Sequence, residues 1–229
     1  MIMLYSGMTC PFSHSTRIVL QEKGCEFEIT DVDMYQPIDV KVSALSPYGE
    51  VPILQDRDLV LFNARVINEY LDERFPHPQL MPADPTNRAR ARLFLYLFER
   101  EIFTHVRTLE AVDLPESEYE KARNTLRDQL TLIALRLNTS KYMMGDEYSL
   151  LDISMAPVLW RLSHWGIEMP RSAAPIMTYG ERLFARPAFI ESMTPNERVM
   201  RRSSTDDEAN TKDRRAFPRR RFFLREKKP

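Results

Sequence analysis

Several common functions lack their raw material in this chain. Six glycines among 229 residues leave no Gly-rich loop whose backbone could cradle a phosphate, so nucleotide binding has no support. Two cysteines, Cys10 and Cys25, are too few for the disulfide framework of a small secreted domain, and free thiols are expected. The four histidines (14, 77, 105 and 164) are scattered, and no Cys/His group has metal-site spacing. No apolar run approaches the roughly 18 residues that span a membrane. The opening Met-Ile-Met-Leu-Tyr-Ser lacks a charged segment followed by an apolar one, so no signal peptide is read. These absences predict a cytoplasmic protein without metal or membrane.

What is present is ordinary for a folded chain, with 43% hydrophobic and 10% aromatic residues. The net charge of −1 hides a division. Residues 201–229 hold 11 Lys+Arg against 5 Asp+Glu, a net of +6, and the preceding 200 residues carry a net of −7. Nucleic-acid contact is therefore expected only through the tail. The segment 203–213 is almost free of apolar residues, a composition that predicts disorder. Residues 214–228 interleave Arg and Lys with Phe217, Phe222 and Phe223. This is either a solubilising tail or an arm able to serve phosphate and base stacking.

The pattern divides the chain further. Residues 2–6 read as a buried strand, 12–24 as a helix ended by Gly24, and 27–32 as an alternating, half-buried strand. A short helix at 38–45 precedes the loop Ser46-Pro-Tyr-Gly49. The runs 51–54 and 59–62 form a hairpin, and a helix at 63–74 closes the unit. The order βαβ–α–ββα fits a thioredoxin-like domain over 1–75. Residues 76–86 form a proline-bearing linker, and 87–202 an all-helical domain with helices at 87–112, 116–138, 149–165 and 173–185. Ser149-Leu-Leu-Asp152 reads as a capping box. Crowded aromatics at Phe94, Tyr96, Phe98 and Phe103 suit a core or a dimer seam.

Thr9-Cys10-Pro11-Phe12-Ser13 stands where the first strand feeds the first helix. A thiol there sees the positive end of the helix dipole, which favours thiolate, and Pro11 suits the first turn. The layout resembles glutaredoxins and thiol-using glutathione transferases. Cys10 has no second cysteine three residues on (Ser13 stands there), so monothiol exchange is the available chemistry. The alternative is a small residue at a tight junction. In the resembling families the proline matching Pro52 is cis, and the residue before it, here Val51, offers its backbone to glutathione. Those relatives then place Glu or Gln followed by Ser at the start of the third helix, where this chain has Asn63-Ala64. Losing one hydrogen bond to a charged group costs about 1.5–3 kcal/mol, or one to two orders of magnitude in affinity. The glutathione site thus reads as vestigial, with Asn63 still able to cap the third helix and the helix amides retained. Arg17, on the first helix, is expected either to neutralise an acidic ligand or, more commonly, to pair with a surface acid, and His105 and His164 to lie in aromatic-rich helices as core or interface residues.

The most specific segment is Tyr70-Leu-Asp-Glu-Arg-Phe-Pro-His-Pro-Gln-Leu-Met-Pro82. Three prolines fix φ and remove donors around a lone histidine. With Val51-Pro-Ile-Leu54 upstream, residues 1 to about 202 resemble the stringent starvation protein A family, whose members have the glutathione S-transferase fold and associate with RNA polymerase. That resemblance implies a homodimer that binds the polymerase holoenzyme or its sigma factor through Pro76, His77 and Pro78, without transferase activity or a cofactor. Members of the family commonly keep Glu-Ser where this chain has Asn63-Ala64. The competing reading is a glutathione-dependent thiol transferase using Cys10; for Pro76–Pro78 it is a stiff interdomain linker.

Overall fold

The computed structural model describes residues 1–34, 36 and 40–201, with Lys41 as backbone only. The expectations for the tail from 203 onward, and for residues 38 and 39 of the short helix, lie outside the described residues.

A four-stranded mixed sheet forms the first half, in the order β2-β1-β3-β4. Strand β1 (Ile2–Gly7) is followed by helix α1 (Pro11–Lys23), β2 (Phe27–Val32) and α2 (Val40–Leu45). The hairpin β3 (Ile53–Asp56) and β4 (Leu59–Phe62) precedes α3 (Ala64–Arg74). β1 runs parallel to β2, with Ile2 opposite Phe27, and antiparallel to β3. Arg57, at φ +55°, makes the tight turn of the hairpin. The succession of elements, a parallel pair followed by a hairpin, is the one that the residue pattern predicts. β2 departs from it in burial: residues 28–31 are exposed, Ile29 by 44%, because β2 is the edge strand and its alternation faces no packed layer.

The second half is helical: α4 (Pro85–Phe98), α5 (Thr104–Glu110), α6 (Glu116–Arg136), α7 (Leu150–Trp160), α8 (Ala174–Phe184), α9 (Pro187–Ser192) and α10 (Pro195–Arg198). The helix predicted at 87–112 is one path interrupted by a π-helical turn at Glu99–Phe103. The helix predicted at 149–165 ends at Trp160. Its capping box is formed, with Asp152 accepting from the Ser149 N–H at 2.8 Å. Asp152 also accepts from the Met143 N–H and the Tyr179 hydroxyl, which satisfies a carboxylate with no solvent access. Helices α9 and α10 were not anticipated, because six and four residues are too few to show a period.

One apolar core crosses both halves, from Leu4, Ile18 and Leu71 through Ile102 and Leu126 to Leu151, Ile176 and Leu183. Helix α1 sits in its middle, against α3 on one side and α7 and α9 on the other. It therefore has almost no solvent face, and Ser13, His14, Thr16 and Arg17 are all buried. A smaller cluster of Val32, Val42, Val51 and Ile53 supports Cys10 and Met34.

Candidate functional site

Cys10 is the N-cap of α1, with β-region backbone. Its sulfur accepts from the Ser13 N–H at 3.5 Å and lies 3.8 Å from the carbonyl of Val51. Val51–Pro52 is cis. Gly7 lets the two segments meet, since a Cβ there would stand 2.7 Å from the Cys10 Cβ. The expectation of an acidified thiol fails. Burial pushes the Cys10 pKa up, against the N–H of Ser13, and the Glu110 carboxylate pushes it the same way. One helix terminus does not outweigh lost hydration.

Cys10, Val51, Pro52, Asn63 and Ala64 are brought together in a single cleft of about 310 Å³, joined by Glu50, Glu99, Arg107 and Glu110. Asn63, at φ +74°, turns its own Oδ1 onto the Arg65 and Val66 N–H groups at 3.0 and 3.4 Å. Asn63 thus acts as the N-cap of α3, and two of the first-turn amides, those of Arg65 and Val66, are occupied by it. Arg107 is also committed: it pairs with Glu99 at 3.0 Å and lies 4.9 Å from the Phe12 ring. Glu110 accepts from the Trp165 indole N–H at 2.8 Å, and burial raises its pKa. Sequence reasoning missed Glu99, Arg107 and Glu110, because only the packing of the π turn and α5 turns them toward Cys10.

Behind the cleft lies a buried charge network. Glu197 of α10, with no exposure, pairs with Arg17 at 2.6 Å and Arg161 at 2.5 Å. Arg161 also donates twice to the Thr9 carbonyl, and Thr194 donates to the carbonyl of Met8. The loop carrying Cys10 is therefore held by the C-terminal helices. Arg17 is 2% exposed and pairs across the domain interface, not with a surface acid. His14 accepts at Nδ1 from Arg161, at 3.2 Å, and donates from Nε2 to Ser192 Oγ at 3.1 Å. Burial, then Arg161 and Arg17, hold its pKa well below the ordinary value, so the ring is neutral. The capping box Thr194-Pro-Asn-Glu197 was the legible signal for this element.

Pro76, His77 and Pro78 lie away from the cleft, all three exposed, with His77–Pro78 cis. The strip is fixed from below. Asp72 accepts from the Leu80 N–H at 2.8 Å and the Met81 N–H at 3.0 Å. Lys23 bridges Asp72 to the Pro78 carbonyl, and Leu80 and Met81 are buried. A groove of about 150 Å³, lined by Pro76, Gln79, Glu73 and Arg92 among others, runs alongside. His105 is half-buried on α5. His164 is exposed and lies in the turn after α7, not in a helix.

The glutathione S-transferase N-terminal domain model matches residues 9–74, and the C-terminal domain model matches 89–187. A stringent starvation protein A homolog of Coxiella burnetii is 41% identical over 199 residues, covering 86% of this chain and 94% of that relative. Another, from Haemophilus influenzae, is 40% identical, covering 83% and 89%. Among solved structures, a glutathione transferase from Methylococcus capsulatus superposes with a TM-score of 0.78 at 29% identity, covering 87% of this chain and all of that one. With its two-part fold, its cis Val51–Pro52 and this length of similarity, the chain belongs to the stringent starvation protein A family of glutathione S-transferase-like proteins.

Proposed function

We propose that this protein is an RNA polymerase-associated regulator of the starvation or stress response that docks through Pro76, His77 and Pro78 and has no transferase activity. The observation that carries the reading is the Asp72–Lys23 clamp beneath an exposed strip. Backbone held in place before contact loses little entropy on docking, and His77 offers a polar ring between two apolar ones. The capped amides of α3 and the absent hydroxyl at Ala64 weigh against tight glutathione binding. A homodimer accompanies the reading. Leu93 and Leu97 of α4, with Leu132 and Leu135 of α6, are 40–63% exposed, and Arg136 stacked 4.3 Å from the Phe94 ring joins the two helices.

Co-sedimentation with RNA polymerase holoenzyme tests the proposal, with wild type beside the Pro76/His77/Pro78 triple-alanine variant and a single His77→Ala. Binding by the wild type that is lost in the folded triple variant is expected. Failure of the wild type to bind would sink the reading.

A further inference from the structure

Strand β2 has an open outer edge of one charge. It is the outermost strand of the sheet, paired on one side with β1, and no strand covers its other side among the described residues. Glu26, Glu28 and Asp31 stand exposed along it, and none of them has a salt-bridge partner among the described residues. Ile29, between them, is 44% exposed. The opposite edge differs: β4 holds no acid, and Arg65 and Arg92 lie in the groove beside it. An unpaired edge invites another strand, and charge decides which strand it takes. A second copy of β2 would set carboxylate against carboxylate, which disfavours pairing between like edges.

The chain itself carries the complement. Residues 214–228 hold eight Lys+Arg against Glu226 alone, while the first 200 residues carry a net of −7. On an extended backbone Arg219, Arg221, Arg225 and Lys227 would share one face, and Phe222 and Leu224 the other. β2 has the matching alternation, with Glu26 and Glu28 on one face and Phe27 and Ile29 on the other. The tail also starts nearby. Arg201 pairs with Glu181 and stacks on the rings of Trp160 and Phe184. Five residues beyond Glu181, Arg186 pairs at 2.7 Å with Glu22 in the last turn of α1, and Glu26 follows that helix directly. Residues 202–213 can reach about 40 Å when extended, ample for that short succession of contacts.

We infer that residues 214–228 dock on the outer edge of β2 as an added strand, with the basic face against Glu26 and Glu28 and with Phe222 and Leu224 over Ile29. The outward N–H and C=O groups of β2 then gain partners, and its carboxylates gain counter-charges. Tethering sets the effective concentration of the segment at about the millimolar range, so a contact too weak between separate molecules is populated within one. The inference uses a face that the polymerase-docking reading does not, and it stands or falls separately.

Disulfide trapping on the full chain tests it, in a background of Cys10→Ser and Cys25→Ser. Ile29→Cys with Phe222→Cys places one thiol on β2 and one on the tail. Leu59→Cys with Phe222→Cys is the control on the other edge, and both body positions are exposed, which spares the fold. With oxidised dithiothreitol, the Ile29 pair is expected to close within one chain about tenfold faster than the Leu59 pair. Glu26→Lys with Glu28→Lys, also at exposed positions, should slow it several-fold, as should high salt. Equal closure at both edges, as for a tail that serves nucleic acid instead of the body, would overturn the assignment. So would a disulfide formed only between two chains, or a rate that the Lys variants and salt leave unchanged.

Discussion

The Cys10 cleft and the Pro76–Pro78 strip use their polar groups in opposite ways. In the cleft, donors that could greet a ligand are satisfied internally: Asn63 caps α3 and Glu99 holds Arg107. In the strip, the internal hydrogen bonds go to backbone from beneath, through Asp72 and Lys23, which leaves the side chains outward. The first arrangement is a concave site whose donors turn inward; the second is an exposed strip held stiff from below. The two regions thus spend their polar groups on different tasks, one on closing a cleft internally and the other on fixing an exposed backbone.

The comparison can be broken most severely from behind. Glu197→Ala leaves Arg17 and Arg161 buried without their carboxylate, and about 3–5 kcal/mol of stability should be lost in urea unfolding. The Cys10 loop should then become more reactive toward a neutral alkylating agent, because Arg161 no longer has a fixed position against Thr9. Asp72→Asn strikes the strip instead. It removes the partner of buried Lys23 and should cost about 1–3 kcal/mol while weakening polymerase co-sedimentation. If stability falls and docking does not, the clamp is structural only.

Smaller effects sharpen the contrast. Replacing Asn63-Ala64 by Glu-Ser restores a donor and frees the α3 amides, so glutathione affinity should rise about tenfold or more by calorimetry. His77→Ala should leave stability within about 0.5 kcal/mol, since the side chain is exposed, while reducing co-sedimentation. The pH dependence of stability should be set partly by His14. Its folded pKa lies below the unfolded value, so the unfolded chain binds the extra proton. Stability is full above about pH 6.5 and falls below it, toward about 1.4 kcal/mol per pH unit. His14→Gln should flatten that slope.

Much of the fold was legible because its signals are local. Gly24 ends α1, the Ser149–Asp152 box starts α7, and the strand and helix order follows from period and turn residues. The strip was legible for the same reason, as prolines constrain the backbone wherever they stand. The cleft was legible only in part. Cys10, Pro52, Asn63 and Ala64 could be named from their positions, and Asn63 as a cap, yet the state of the thiol and the carboxylates around it could not.

The sequence by itself determined the longer elements, their order and the stiffness of residues 76–82, since these depend on φ preferences, caps and periodicity within a few residues. Only the tertiary structure decided that Arg17 is a buried interdomain cation and that β2 is an exposed edge. It also decided that Glu110 faces Cys10 and that burial outweighs the helix terminus in setting the thiol's pKa. Those outcomes depend on desolvation and on charges brought close from positions up to 180 residues apart, as Arg17 and Glu197 are, and no local pattern encodes such distances.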